Sequence, residues 1–186
     1  FVGHSGVRRY VMGEACQERE ATPDEIQAMK EEVRKGILAG ALGFSIGNFA
    51  DQGAEIFGVT VPSSVATDEE RYALGSVLGE LGTGVFQVSG GAAGGYTEPA
   101  KIAQELSRRT GRPAIYNLLA QELSKPDEWK EHLQMVEEAF KSGARAYASC
   151  LSATAGPIFD LRAGLGGLED EDMISPTTVF QGMSTW

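Results

Sequence analysis

Five short apolar runs, each followed by a longer stretch with helical spacing, constrain this chain more than any other feature. The runs occupy residues 1–5, 41–46, 85–89, 113–117 and 144–150. After the first, Thr22 and Glu25 have capping-box spacing, Pro23 takes the first helical position and Gly40 can close the helix. Ile26, Met29, Val33, Ile37 and Leu38 supply the apolar stripe of this 23–39 helix. Thr67 with Glu70 opens a second helix that ends near Leu81 and Gly82, and a third covers 98–109. Ser124-Lys125-Pro126-Asp127 starts a fourth, with Trp129, Leu133, Val136 and Phe140 on its apolar side. Strands separated by helices imply right-handed crossovers between parallel neighbours, hence an α/β sheet or barrel. The runs lack clean alternation, as expected of strands covered on both faces.

Composition narrows the function classes. With 186 residues and 42% of them hydrophobic, the chain can bury a sizeable core. Sixteen Lys and Arg against 26 Asp and Glu give a net charge of −10, which disfavours nucleic acid as a partner. No apolar run approaches the ~20 residues that span a bilayer, so no membrane partner is expected. Only Cys16 and Cys150 are present. A disulfide framework is excluded and a reducing, cytoplasmic setting is expected. After Gly156 the chain turns Gly-rich and acidic, so 1–155 reads as the folded unit and 156–186 as a loop or tail. The chain reads as part of something larger, in which unpaired strand edges would favour oligomers or further strands.

Parallel α/β folds bind ligands at the carboxyl ends of their strands. Those ends carry His4, Ser45, Asn48, Gln87, Ser89, Asn117 and Ser149-Cys150, all polar and drawn from five strands. His4 is the candidate catalytic group, since a strand-end imidazole can polarise a carbonyl or move protons near neutral pH. Ser45, Asn48, Gln87, Ser89 and Asn117 are the candidate substrate-binding residues. His132 is expected on an exposed helix flank. A catalytic zinc wants about three protein ligands, and only His4 and Cys150 are candidates at strand ends, with Asp51 and Glu55 in a nearby loop. No carboxylate is identifiable from sequence to orient His4. Gly90-Gly91-Ala92-Ala93-Gly94-Gly95 fails both the P-loop and the dinucleotide patterns.

Certain strings then become recognisable. Val2-Gly3-His4-Ser5-Gly6-Val7-Arg8 with Val11-Met12-Gly13 resembles a stretch of the N-acyl-D-amino-acid deacylases, within the amidohydrolase superfamily. The match continues through Arg19-Glu20-Ala21-Thr22-Pro23-Asp24-Glu25, Gly40-Ala41-Leu42-Gly43-Phe44-Ser45 and Val61-Pro62-Ser63. The resemblance implies a partial TIM-like (β/α) barrel, its five strands corresponding to barrel strands three to seven. It also implies a small-molecule substrate, the amide of an N-acyl-D-amino acid or a related compound, attacked by metal-activated water. Zinc is the family's cofactor. At the two strand ends where the family places metal-binding His, this chain has Val88-Ser89 and Asn117, both poor zinc ligands. The resemblance therefore leaves this chain with no metal ligands of its own. A catalytically inactive or ligand-binding barrel segment is the alternative reading.

Overall fold

The computed structural model describes residues 1–48, 61–90, 97–117, 119 and 127–150, excluding the side chains of Asn48 and Glu128. Within them, five strands form one open sheet of parallel strands in sequential order: β1 (Val2–Gly3), β2 (Gly43–Asn48), β3 (Val85–Gly90), β4 (Ala114–Asn117) and β5 (Ala146–Ser149). Between them lie α1 (His4–Met12), α2 (Pro23–Leu38), α3 (Asp68–Leu81), α4 (Thr97–Thr110) and α5 (Glu128–Lys141), with 3-10 turns at Gly13–Gln17 and Pro62–Ser64. This is the expected alternating α/β architecture, and the sheet is not closed into a barrel. The tail expected over 156–186 and the loop residues Asp51 and Glu55 lie outside the described residues, as does 91–96 of the glycine-rich loop.

The first run departs from expectation. Only Val2–Gly3 is strand, and His4 begins a helix that the sequence pattern hid. The buried residues of α1 are His4, Val7, Arg8 and Met12, a helical spacing half built from charged or titratable side chains. An apolar-period scan cannot register such a stripe. In α5 the same effect rotates the buried side. His132 is 2% exposed and Ala139 is 3% exposed, whereas Leu133 and Phe140 remain about two-fifths exposed. The rim position expected for His132 is thus corrected: it is buried against α4, where its Nε2 lies 3.1 Å from Thr97 Oγ1. In α2, Leu38 likewise turns outward at 70% exposure.

Helix ends follow the expected chemistry. Thr22 Oγ1 accepts from Glu25 N and the Glu25 carboxylate accepts from Thr22 N, a complete capping box. Gly82 closes α3 in the left-handed conformation (φ 63°), which glycine adopts without steric cost.

Strand register sorts side chains into rows. Val2, Phe44, Phe86, Ala114 and Ala146 pair across all five strands and point into the helix layer. Ile46, Val88, Tyr116 and Ala148 form a second helix-facing row. These rows meet Met29, Val33, Leu74, Leu78, Ile102 and Leu106 in one core. The alternate rows face the other way, and there Ile115 and Tyr147 stay 39% and 45% exposed. Close approach of β2 to β3 depends on Gly43, where a Cβ would sit 1.8 Å from the Val85 carbonyl oxygen. Gly43→Ala should therefore lower unfolding free energy by about 2 kcal/mol, within the range for forced overpacking. An unchanged urea midpoint would show that the strand pair can absorb a methyl group.

Candidate functional site

Consecutive strand residues alternate faces, so the site candidates divide by position. Gly3, Ser45, Gln87, Ile115 and Tyr147 form one row of the inner face. Gly47, Ser89, Asn117 and Ser149 form the next, nearer the carboxyl ends. The structure thus brings Ser45, Gln87, Ser89 and Asn117 together on one half-buried surface. Gln87 Nε2 donates to Ser89 Oγ at 2.5 Å, and Ser149 Oγ donates to Asn117 Oδ1 at 2.7 Å. Asn48 ends β2 opposite Gly90, with its side chain outside the described residues.

His4 does not join them. A Cβ on Gly3 would lie 3.8 Å from Ser45 Oγ, so Gly3 shares the inner face and His4 turns to the helix side. There the imidazole is 1% exposed, tilted against Phe44 with ring centroids 5.6 Å apart. Its Nε2 lies 2.6 Å from Glu70 Oε1. Arg8 Nη1 donates to the other carboxylate oxygen of Glu70. The rest of the Arg8 fork donates to the carbonyls of Cys16, at 3.1 and 3.3 Å, and Arg19, at 2.9 Å. A carboxylate that orients His4 does exist, contrary to the sequence reading. Glu70 was hidden because Thr67 and Glu70 repeat the spacing of Thr22 and Glu25. Thr67 does cap α3, but the Glu70 side chain goes inward instead of back to the cap. The available signal was a glutamate at capping-box spacing with a buried Arg and His to serve.

Next to this cluster, Ser5 Oγ donates to Ser63 Oγ at 2.9 Å, and Ser63 Oγ donates to the Gly47 carbonyl at 2.5 Å. The Val61-Pro62-Ser63 turn is thereby fastened to the start of α1 and the carboxyl end of β2. An open groove of about 750 Å³ between α3 and α4, lined in part by Tyr72, Ser76 and Arg109, belongs to the outer helix layer. Tyr72 there lies under the Arg109 guanidinium, 4.3 Å from its ring centroid.

Electrostatics follow from burial and pairing. Burial pushes the His4 imidazole below its ordinary value of 6.5, against the bond and charge of Glu70. Burial alone would raise the Glu70 carboxyl, but the bonds from His4 and Arg8 outweigh it and hold the group below 4.5. His4 is therefore neutral with its proton on Nε2, and Nδ1 has no partner among the described residues.

The inner face does not fit a catalytic metal. Its strand-end donors are hydroxyls and a carboxamide, and no group of three or more His, Cys, Asp or Glu is placed to hold an ion among the described residues. Cys150 is exposed and Cys16 is buried on the helix side, both as free thiols.

Five parallel strands alternating with helices thus form an open sheet with polar side chains on its inner face near the strand ends. Among solved structures, the chain is similar to D-aminoacylase, in a study of the functional role of its binuclear metal centre, at 26% identity and TM-score 0.61. It is also similar, at 25% identity and TM-score 0.61, to the D-aminoacylase crystal structure described as defining a novel subset of amidohydrolases. Both alignments cover 82% of this chain and 30% of the other, so the chain spans under a third of those proteins. N-acyl-D-glutamate deacylase from Bordetella bronchiseptica, complexed with zinc and a phosphonate inhibitor, matches in fold at 20% identity and TM-score 0.57. That alignment covers 77% of this chain and 28% of the deacylase. No family model and no curated protein matches the sequence.

Two outcomes test the buried cluster. Glu70→Gln leaves the Arg8 charge buried without its counter-charge and should cost about 3–5 kcal/mol, a large share of the roughly 5–15 kcal/mol typical of a domain. Equal urea stability of variant and parent would remove the cluster from its structural role. The pH dependence has a definite sign. Both His4 and Glu70 take up protons more readily when unfolded, so stability is full above pH 6.5 and falls as the medium is acidified. His4 acts first, below 6.5, and Glu70 follows below 4.5. His4→Gln should flatten the slope of unfolding free energy between about pH 7 and 5.5; an unaltered slope would assign that window to another group.

Proposed function

We propose that this chain is the substrate-facing wall of an amidohydrolase-type barrel that hydrolyses the amide bond of N-acyl-D-amino acids or related small molecules. The observation that carries this reading is the convergence of Ser45, Gln87, Ser89 and Asn117 on one inner face. The likeness to D-aminoacylase at 25–26% identity supports it. In the reaction, water adds to the acyl carbon, the C–N bond breaks, and the nitrogen leaves as an amine carrying the extra proton. The residues described here bind and orient: Ser89 and Asn117 meet the acyl group, and Gln87 and Ser45 line the approach beneath them. His4, bonded to Glu70 on the opposite side of the sheet, acts as a positioning residue for β1 and α1 in this reading.

Hydroxyl and carboxamide donors occupy this chain's strand ends and do not fit a catalytic zinc. That same donor set favours a second reading, a barrel that binds its ligand without hydrolysing it. A cytoplasmic setting belongs to either reading, supported by two unpaired thiols; no helix among the described residues is long and apolar enough to cross a membrane.

Release of primary amine from N-acetyl-D-amino acids decides between the readings. Turnover that is reduced about tenfold or more in kcat/KM by Asn117→Ala supports the hydrolase, since a lost substrate hydrogen bond is worth about that factor. Saturable binding of the same compounds without amine release supports the binding protein, and neither would discard the inner face as a site.

A further inference from the structure

The hydrogen bonds within the inner face are directional, and their direction selects a ligand. Ser89, Asn117 and Ser149 occupy in-register positions on β3, β4 and β5. Gln87 donates to Ser89 Oγ, which consumes a lone pair and leaves the Ser89 hydroxyl proton without a partner among the described residues. Ser149 donates to Asn117 Oδ1, which consumes the carboxamide oxygen and leaves both Asn117 N–H bonds in the same condition. Paired strands run about 4.8 Å apart, so these two donors can meet on a single acceptor atom. Gln87, one row below, keeps its Oε1 as an acceptor.

Neither inner row contains a carboxylate, ammonium, guanidinium or imidazole among the described residues. A ligand carboxylate placed here would lose hydration with no cation to offset it. A secondary amide has one acceptor and one donor and no charge, which matches two donors above one acceptor. We infer that Ser89 and Asn117 form a carbonyl-oxygen cradle, with Gln87 receiving the N–H, that recognises an uncharged secondary amide. The inference rests on the ligand-facing reading of this surface and moves its substrate class to the related compounds: uncharged N-acylated amides, rather than free N-acyl-D-amino acids, are the preferred ligands. Ser89 and Asn117 stand where the sequence resemblance implies imidazole ligands of a metal, so hydrogen-bond donors replace coordination at both positions.

The test is a titration of the isotope-labelled chain with N-acetylglycinamide and, separately, N-acetylglycine, followed through the side-chain NH2 resonances of Asn117 and Gln87. The expected result is a saturable shift with the amide and affinity at least tenfold lower for the carboxylate. Ser89→Ala should weaken amide binding roughly fivefold, the scale of one net hydrogen bond. Asn117→Asp, nearly isosteric, should abolish it by turning donors into acceptors. Absent or unsaturable shifts, or equal affinity for the carboxylate, would overturn the cradle, and the unsubstituted chain alone decides this if a variant fails to fold. Saturable amide shifts without amine release would keep the cradle and sink the hydrolase reading. Hydrolysis with silent Asn117 and Gln87 signals would do the reverse.

Discussion

The buried carboxylate of Glu70 is the constraint on which the arrangement of this open sheet and its helices depends. It receives His4 from one end of α1 and Arg8 from one turn further on, while the Arg8 fork also holds the carbonyls of Cys16 and Arg19. α1, the turn that follows it, and α3, more than fifty residues further along the chain, are thereby fixed at one point. Removing two charges and an imidazole from water is expensive, and such clusters often contribute little net stability compared with a well-packed apolar core. What the cluster does supply is geometry. A leucine accepts many neighbours at many angles, whereas a carboxylate with both oxygens occupied accepts one arrangement.

That geometry reaches the other side of the sheet through short connections. His4 follows Gly3 directly, and Gly3 lies beside Ser45 on the inner face. Ser5, the next residue, is tied through Ser63 to the Gly47 carbonyl in the row of Ser89 and Asn117. The helix-side cluster and the inner-face row are thus linked by side chains adjacent along β1 and the start of α1. The most buried polar residues do not line the candidate site; they hold the strand that frames it.

Much of the architecture was legible in the sequence because hydrophobic period is a core signal, and most of the core here is ordinary. Met29, Val33 and Ile37 of α2, the two Thr caps, and the strands that carry Ser45, Ser89 and Asn117 all follow from spacing alone. Two of the missed stripes share one cause. His4, Arg8 and His132 occupy core-facing helical positions, so the stripes of α1 and α5 do not look apolar. Glu70 was concealed differently, since one spacing serves both a capping box and an inward partner, and only the position of Arg8 in space distinguishes them. The gathering of the inner-face residues was readable from strand alternation, but the exclusion of His4 was not. That exclusion depends on the strand ending at Gly3, two residues earlier than the apolar run suggests.

Strand alternation also governs how this surface can change over time. Every inner-face candidate has a core residue as its immediate neighbour: Ser45 beside Phe44 and Ile46, Gln87 between Phe86 and Val88, Asn117 after Tyr116. Replacing an inner-face side chain leaves those neighbours in place, so the chemistry of this face can drift by point substitution. Inserting or deleting one residue within a strand would instead exchange the two faces, sending serine and glutamine into the core and phenylalanine onto the inner face. The same strands are therefore permissive to altered chemistry and intolerant of altered length. Diversity of this face in chains of this kind should accumulate as substitutions in the strands and as length variation only in the loops between them.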